Sequence, residues 1–342
     1  MTTAPAPSLL PTRPPAPARP LATLALIALI LTTACSDAGS RQFLSLGTAS
    51  TGGIYYPLGG AMAARLSVSD PARQYTAEVS GGSVENVNRL RGRQTDLAFA
   101  TGNTVYEAFS GGQDYPEPVA DLRILAPLYP NMTHIVVERG SNATSLGDLA
   151  GGVVSVGPPG SGTEQMSRQI LEAYGLTYDD ITPRYLTFPE SATALKDGAI
   201  DAAIISVGYP AAAVLEATTT GGARLIAMEP ARVDALRERY PYYVHGEIPA
   251  GIYPGADEPL HTAGVLNWVV AMADLPDEVV AGVLRLLTDE RADLAQVHEM
   301  VHQIHMEALG DAPIALHGVT RAWVEANLPG DDAAGTDPPG AP

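Results

Sequence analysis

The chain has 342 residues and a formal net charge of −18 at pH 7. That length is enough for one large domain or for two domains of ordinary size. The excess of acidic residues argues against binding to nucleic acid or to an anionic membrane surface through basic patches. The single cysteine excludes an internal disulfide framework.

The N-terminal segment has the pattern of a secretory signal. Arg13 and Arg19 precede an apolar run at 21–31, and small residues follow as far as Cys35. The run is shorter than the roughly 20 residues that a membrane-spanning helix needs. We expect residues 1–34 to be a lipoprotein signal peptide and Cys35 to carry a lipid that anchors the protein to a membrane. The alternative is a plain signal peptide that happens to contain a cysteine.

Between the two ends of the chain, short apolar runs alternate with helical stretches, which predicts an α/β protein with parallel strands. We predict strands at 43–46, 75–79, 96–100, 124–129, 134–137, 153–156, 184–188, 202–205, 224–228 and 265–272. We predict helices at 54–66, 83–91, 104–109, 164–174, 191–195, 209–215 and 277–287, and a mainly helical last third. Residues 329–342, rich in Pro, Gly and Asp, are expected to be a disordered tail.

Two passages share one plan: a strand, a loop of small residues and the start of a helix. The loops are Thr48-Ala49-Ser50-Thr51-Gly52-Gly53 and Gly160-Ser161-Gly162-Thr163. Free backbone N–H groups and a partial positive charge at a helix N-terminus favour anions, and glycine lets a ligand approach the backbone. The loops therefore predict an anion site between two facing units, although ordinary helix capping uses the same residues.

The sequence contains partial versions of two functional motifs, a phosphate loop and a metal-binding histidine cluster. The stretch from Gly157 to Thr163 resembles an ATPase phosphate loop. That motif has a lysine followed by Ser or Thr after its last glycine, whereas here Thr163 and Glu164 follow Gly162. His298, His302 and His305 have a spacing that could bind a metal if they lie on one helix, although a solvated helix face is the simpler interpretation. We expect no enzyme, no cofactor and no metal site.

Other residues could form the walls of the site. Tyr55 and Tyr56 follow Gly53 in the first helical turn, and each ring could contact a ligand or pack in the core. Asn103 and Tyr209 follow predicted strands at their carboxyl ends, where open α/β sheets place ligands.

Six further passages stand out along the chain: Gly47–Pro57, Gly81–Asn86, Asp96–Phe99, Val156–Glu164, Leu195–Ala202 and Ile248–Gly255. Together they resemble the TAXI family of solute receptors for TRAP (tripartite ATP-independent periplasmic) transporters. They keep the family's order over nearly the whole chain, from about Phe43 to Leu328.

The resemblance implies a two-lobed periplasmic-binding-protein fold (type II-like), with two Rossmann-like lobes joined by crossing hinge strands. Lobe 1 would comprise 43–131 plus 264–328, lobe 2 would comprise 132–263, and 35–42 would be a linker. The crossings are expected near 129–135 and 262–269.

The resemblance also implies binding of a small carboxylate, such as glutamate or a 2-oxo dicarboxylate, and its delivery to TRAP membrane subunits. A periplasmic or cell-surface location and a monomer are expected. Together with the loop argument, it places ligand contacts at Ser50, Thr51, Gly52, Gly53, Tyr55, Asn103, Ser161, Gly162, Thr163 and Tyr209. The alternatives are a ligand sensor for a membrane signalling receptor and an exported enzyme that uses the histidine cluster.

Overall fold

The computed structural model describes residues 1, 2, 4 and 41–328. The expectations for the apolar run of the signal, for Cys35 and for the tail at 329–342 concern residues outside this part. From Gln42 to Leu328, the described residues belong to one compact unit.

Strands and helices alternate along most of this unit. The strands are β1 (Gln42–Gly47), β2 (Arg73–Glu78), β3 (Leu97–Thr101), β4 (Leu122–Val137), β5 (Val153–Ser155), β6 (Thr182–Arg184), β7 (Ala202–Val207), β8 (Arg224–Ile226), β9 (Tyr243–Ile248) and β10 (Leu260–Met272). The helices are α1 (Tyr55–Ser69), α2 (Ser83–Arg91), α3 (Gly102–Ser110), α4 (Gly162–Ala173), α5 (Phe188–Lys196), α6 (Ala212–Thr219), α7 (Pro230–Arg239), α8 (Asp277–Thr288), α9 (Arg291–Ala295) and α10 (Gly318–Asn327). Short 3₁₀ helices lie at Leu146–Leu149, Glu299–Gln303 and Met306–Asp311.

All ten strands belong to one sheet, in the order β2-β1-β3-β10-β4-β7-β5-β6, with β8 paired to β4 and β9 paired to β10. The strands β2, β1 and β3 form a first parallel group, and β7, β5 and β6 form a second. The two groups are joined by β4 and β10, which are antiparallel to each other. The predicted α/β fold class is therefore confirmed.

The two long strands exchange partners along their length. The first part of β10 pairs with β9 and its later part pairs with β3. The strand β4 pairs with β10 over Leu122–Met132 and with β7 over Met132–Val137. The strand β10 therefore adjoins the first parallel group through β3, and β4 adjoins the second through β7. The boundaries of two lobes, at 131/132 and 263/264, stay a prediction.

Several predicted elements were wrong in detail. The segment predicted as two strands, 124–129 and 134–137, is one strand, because Pro130 and Asn131 continue the pairing with β10. The predicted strand at 184–188 ends at Arg184, because Thr187 caps α5 through a reciprocal pair of hydrogen bonds with Glu190. The strand β9 and the helix α7 were missed.

The predicted helix that would align three histidines is also wrong. His298 and His305 are the N-caps of two separate 3₁₀ helices, and only His302 lies within one of them. His298 accepts from the Met300 amide and faces the carbonyl of Pro210 at 3.2 Å. The three histidines therefore do not share one helix face, and His298 caps a local turn.

Burial explains why the elements adopt these positions. Leu58, Met62 and Leu66 are spaced four residues apart on α1, and all are buried. They belong to the larger core cluster, together with Leu46 of β1 and Phe99 of β3. The packing fixes α1 against the first parallel group. Within the described residues, no helix combines the length and the apolar character that a membrane crossing requires.

A buried histidine ties β4 to two loops. His134 is fully buried, its Nδ1 lies 3.0 Å from the carbonyl of Met132, and its Nε2 lies 3.0 Å from the Tyr253 hydroxyl. Because the Met132 carbonyl can only accept, Nδ1 carries the proton and Nε2 accepts from Tyr253. The Tyr253 oxygen in turn accepts from the Ala211 amide at 2.9 Å. Burial lowers the pKa of His134 from 6.5 to about 4.

The lowered pKa predicts a loss of stability in acid. The unfolded chain takes up a proton on this histidine below about pH 6.5, whereas the folded protein resists until about pH 4. The free energy of unfolding should therefore fall by about 2 kcal/mol between pH 7 and pH 5 through this residue alone. Urea unfolding of the protein and of His134→Gln at both pH values isolates the effect. Identical pH dependence in the two proteins would contradict it.

Candidate functional site

A cavity lies where the carboxyl ends of the two parallel groups meet. It holds about 50 Å³ of free space, enough for a few water molecules or a small polar group. Its polar side chains are hydroxyls and one amide, from Ser50, Ser83, Thr101, Asn131, Ser161, Thr163 and Ser206. Apolar walls come from Ile54, Tyr55, Tyr129, Phe188 and Val207. No charged side chain occurs in this described lining.

Four helices begin at the cavity. The residues at the start of each helix line the cavity: Ile54 and Tyr55 for α1, Gly82 and Ser83 for α2, Thr101 for α3, and Ser161 and Gly162 for α4. Each helix N-terminus carries a partial positive charge of roughly half an elementary charge. The cavity therefore lies in a positive field although no cation lines it.

The starts of α2 and α4 approach each other closely. The Gly160 carbonyl accepts from the Glu85 amide at 2.9 Å, and a Cβ added to Gly82 would lie 3.3 Å from Ser161 Cα. Ser161 uses its hydroxyl to cap the Glu164 amide at 3.1 Å. Within the described residues, the amides of Ser83, Gly162 and Thr163 meet no acceptor. These donors are available to an anion at the cavity.

Buried side chains connect the two parallel groups beneath the cavity. Tyr55 donates through its hydroxyl to Asn267 Oδ1 at 2.5 Å, and Asn267 Nδ2 donates to Asn131 Oδ1 at 2.8 Å. Asn131 Nδ2 donates to the Ser206 carbonyl at 3.1 Å. This chain of contacts passes from α1 through β10 and β4 to β7. Burial raises the pKa of Tyr55, so the phenol stays protonated and keeps its donor role.

A polar cluster beside the cavity joins α3 to α4. Gln165 accepts from Asn103 Nδ2 at 2.9 Å and from Thr104 Oγ1 at 2.7 Å. Its own Nε2 donates to Glu107 Oε2 at 3.0 Å and to Asp114 Oδ2 at 2.9 Å. All four hydrogen bonds cross between segments far apart in sequence. Gln165 is thus the central contact between these helices.

The two carboxylates of this cluster have further partners. Arg168 pairs with Asp114 at 2.7 Å, and Gln169 Nε2 donates to Glu107 Oε1 at 2.6 Å. Burial raises the pKa of Glu107, while its hydrogen bonds and Arg168 oppose the rise.

The structure brings six of the ten predicted contact residues to the cavity and leaves four outside its lining. The six are Ser50, Gly53, Tyr55, Ser161, Gly162 and Thr163. Thr51 is exposed, and Tyr209 is half-buried against the core. A Cβ on Gly52 would overlap the Pro189 ring, so its lack of a side chain serves packing against α5. Asn103 is buried behind the cavity in the Gln165 cluster, with its Oδ1 unpaired.

Sequence reasoning missed Ser83, Thr101, Asn131 and Ser206. Thr101 ends β3 directly after the predicted strand, so the carboxyl-end rule that singled out Asn103 could have found it. Ser206 lies within β7, one residue before its end. Asn131 is inside β4 and gave no local signal. These three meet only because β3, β10, β4 and β7 are neighbours in the sheet.

The described residues contain no group of three or more His, Cys, Asp or Glu side chains positioned to hold a metal ion. The seven polar side chains of the cavity lining are neutral oxygen and amide groups, which suit hydrogen bonding to a solute.

Residues 46–326 match the NMT1-like family. The chain belongs to this family. The match includes β3, β10 and the starts of all four helices at the cavity, so the whole candidate site lies within the part that defines an NMT1-like protein.

Solved structures that resemble this NMT1-like chain include periplasmic binding proteins at low sequence identity. The alkanesulfonate-binding protein SsuA from Xanthomonas axonopodis pv. citri is 18% identical, over 84% of this chain and 94% of that one, with a TM-score of 0.49. The aliphatic sulphonate binding protein SsuA from Escherichia coli is 16% identical, over 84% and 85%, with a TM-score of 0.46. An R. palustris protein with adipate is 19% identical, over 76% and 88%, with a TM-score of 0.47.

Gly162 should be intolerant of even a methyl group. A Cβ there would overlap the Thr101 hydroxyl and would lie 3.0 Å from Ser83 Oγ and 3.1 Å from Thr104 Oγ1. Gly162→Ala should push α4 away from the starts of α2 and α3 and lower the free energy of unfolding by about 1–3 kcal/mol. Urea unfolding measures the change.

Gly60→Ala is the matched control, because it is also a helical glycine but has open space at its Cβ. It should leave stability unchanged or raise it by about 0.5–1 kcal/mol. Equal behaviour of the two variants would show that the close approach at Gly162 does not constrain the fold.

Proposed function

We propose that this NMT1-like protein is an exported solute receptor that binds a small carboxylate in the cavity between the two parallel groups. The observation that carries the proposal is the convergence of four helix N-termini on one cavity whose described lining contains no charged side chain. Such a cavity favours an anion because the positive field has no counter-charge in the lining.

A carboxylate suits the donors that the cavity offers. Among the residues that the structure describes, the amides of Ser83, Gly162 and Thr163 have no acceptor, and each can donate one hydrogen bond. The Ser50 hydroxyl, which makes no hydrogen bond within the described residues, can donate one more, and a carboxylate has about four lone-pair sites to receive them. Hydrogen bonds to an ionised acceptor are roughly twice as strong as neutral ones.

In the proposed cycle, binding and closure of the cleft stabilise each other. The starts of α2 and α4 lie on opposite sides of the cleft, and the Gln165 cluster crosses beside it. An anion between them would reduce the repulsion of the helix ends and favour the closed form. Opening would expose the ligand to water and release it.

The proposed partner is the membrane component of a TRAP transporter, to which the closed receptor would deliver its solute. The proposal of a TRAP partner rests on the six sequence passages, between Gly47 and Gly255, that resemble TAXI receptors. The lipid on Cys35 and a periplasmic or cell-surface location belong to the same proposal. They are supported by the acidic surface and by the signal-like start of the chain.

Thermal melts against a panel of small carboxylates test the proposal. The purified protein would be unfolded and refolded to remove any ligand carried through purification. A carboxylate at about 100 times its dissociation constant should stabilise the folded state by roughly 2.7 kcal/mol. That stabilisation should raise the melting temperature by several degrees. A flat response to every carboxylate would overturn the proposed ligand class.

Gln165→Glu tests the contribution of the cluster to closure. The variant would place a third carboxylate against Glu107 and Asp114 and would remove the donor that now satisfies both. Affinity for a bound carboxylate should fall by about tenfold, equivalent to ~1.4 kcal/mol, and should partly recover at pH 5 as one carboxyl group is protonated. Titration calorimetry at both pH values provides the measurement.

Gln303→Glu adds the same charge at an exposed position and serves as the control. Its affinity should match that of the wild-type protein at both pH values. If Gln165→Glu binds as tightly as this control, the cluster does not contribute to the closed form.

A further inference from the structure

We propose that the cavity selects small carboxylates that carry no ammonium group, such as 2-oxo and 2-hydroxy acids, over the corresponding amino acids. This inference rests on the proposed function and narrows its ligand class. It depends on the groups that the cavity lacks as much as on those that it has.

An amino acid would bring a cation into a site without a counter-ion. The described lining contains no Asp or Glu, and its hydrogen-bonding side chains are hydroxyls and the Asn131 amide. Asn131 is already committed, because its Oδ1 accepts from Asn267 and its Nδ2 donates to Ser206. A buried ammonium that is neither paired nor fully hydrogen-bonded carries a large desolvation cost.

Glu85 and Glu164 lie in the first turns of two helices whose starts line the cavity, but both are engaged elsewhere. Glu85 Oε2 accepts from the Gly81 amide at 2.7 Å. Glu164 Oε2 pairs with Arg168 at 3.0 Å, and its Oε1 accepts from the Tyr178 hydroxyl at 3.0 Å. Neither side chain lines the cavity. An ammonium would have to break one of these contacts to gain a negative partner.

The backbone around the cavity also favours an oxo or hydroxy acid over an amino acid. The helix ends that favour a carboxylate repel a cation in the same small space. An ammonium also offers only donors, whereas the free amides of Gly162 and Thr163 need acceptors. A 2-oxo oxygen accepts hydrogen bonds, and a 2-hydroxyl group both donates and accepts. Either group therefore matches a lining of amides and hydroxyls better than an ammonium does.

Matched ligands that differ in one group test the inference. Titration calorimetry would compare 2-oxoglutarate, 2-hydroxyglutarate and glutamate, and then pyruvate, lactate and alanine, at pH 7. Within each series that binds, the oxo or hydroxy acid should bind at least about tenfold more tightly than the amino acid.

The outcomes separate this inference from the proposed function. If an amino acid binds as tightly as its oxo and hydroxy counterparts, the selection is refuted while the carboxylate receptor stands. If no member of either series binds, and the thermal panel is also flat, the proposed function fails and this inference fails with it.

Ser50→Asp provides a second readout, because Ser50 lines the cavity and its hydroxyl makes no hydrogen bond within the described residues. The added carboxylate should weaken the oxo acid more than the amino acid, so the ratio of their affinities should fall at least about fivefold. Ser50→Asn has nearly the same shape without the charge and should keep the wild-type ratio. An unchanged ratio in Ser50→Asp would contradict a selection based on charge.

Discussion

The crowding of four helix N-termini around one small cavity is the constraint on which the site depends. Helix ends of the same sign repel each other, and here the starts of α2 and α4 face each other across the loop at Gly160. Glu85 and Glu164 in the first helical turns offset part of this field from outside the cavity. The remainder is directed at the cavity, where the amides of Ser83, Gly162 and Thr163 have no acceptor in the described part of the chain. An anion is the species that satisfies both the field and the donors.

The sheet brings these helix ends together. Only β4 and β10 run between the two parallel groups among the described strands, and both exchange partners beneath the cavity. Asn267 and Asn131 stand at this exchange and link Tyr55 to Ser206 through buried hydrogen bonds. Since an unpaired buried amide would cost about 1–3 kcal/mol, these side chains also fix how the long strands align. The same residues therefore define the floor of the site and its geometry.

The sequence predicted the parts of this arrangement that are local. Alternating strands and helices predicted the α/β class, and the small-residue loops predicted Ser50, Gly53, Ser161, Gly162 and Thr163 at the cavity. Thr101, Asn131 and Ser206 were missed because they meet through strand order, which no short pattern records. Pro130 and Asn131 suggested a break in β4, but pairing with β10 outweighs their low strand propensity. Asn103 was placed in the site by its position after a strand, but its side chain reaches Gln165 instead.

In the proposed cycle, the Gln165 cluster and the helix ends have opposite effects on the closed form of the cleft. Bringing the start of α4 against the starts of α2 and α3 costs electrostatic energy. In return, the Gln165 side chain accepts two hydrogen bonds from α3 and donates two, to Glu107 and Asp114. One of those acceptors, Glu107, is half-buried beside Asp114. Partial burial and the nearby negative charge raise its pKa, which limits how strongly the cluster can hold. An empty cleft would thus be held shut weakly, and an anion would add the missing stabilisation. A ligand shifts the equilibrium between the open and closed forms only if it binds one of them more tightly. An anion held between facing helix ends would bind the closed form more tightly, so its binding would favour closure.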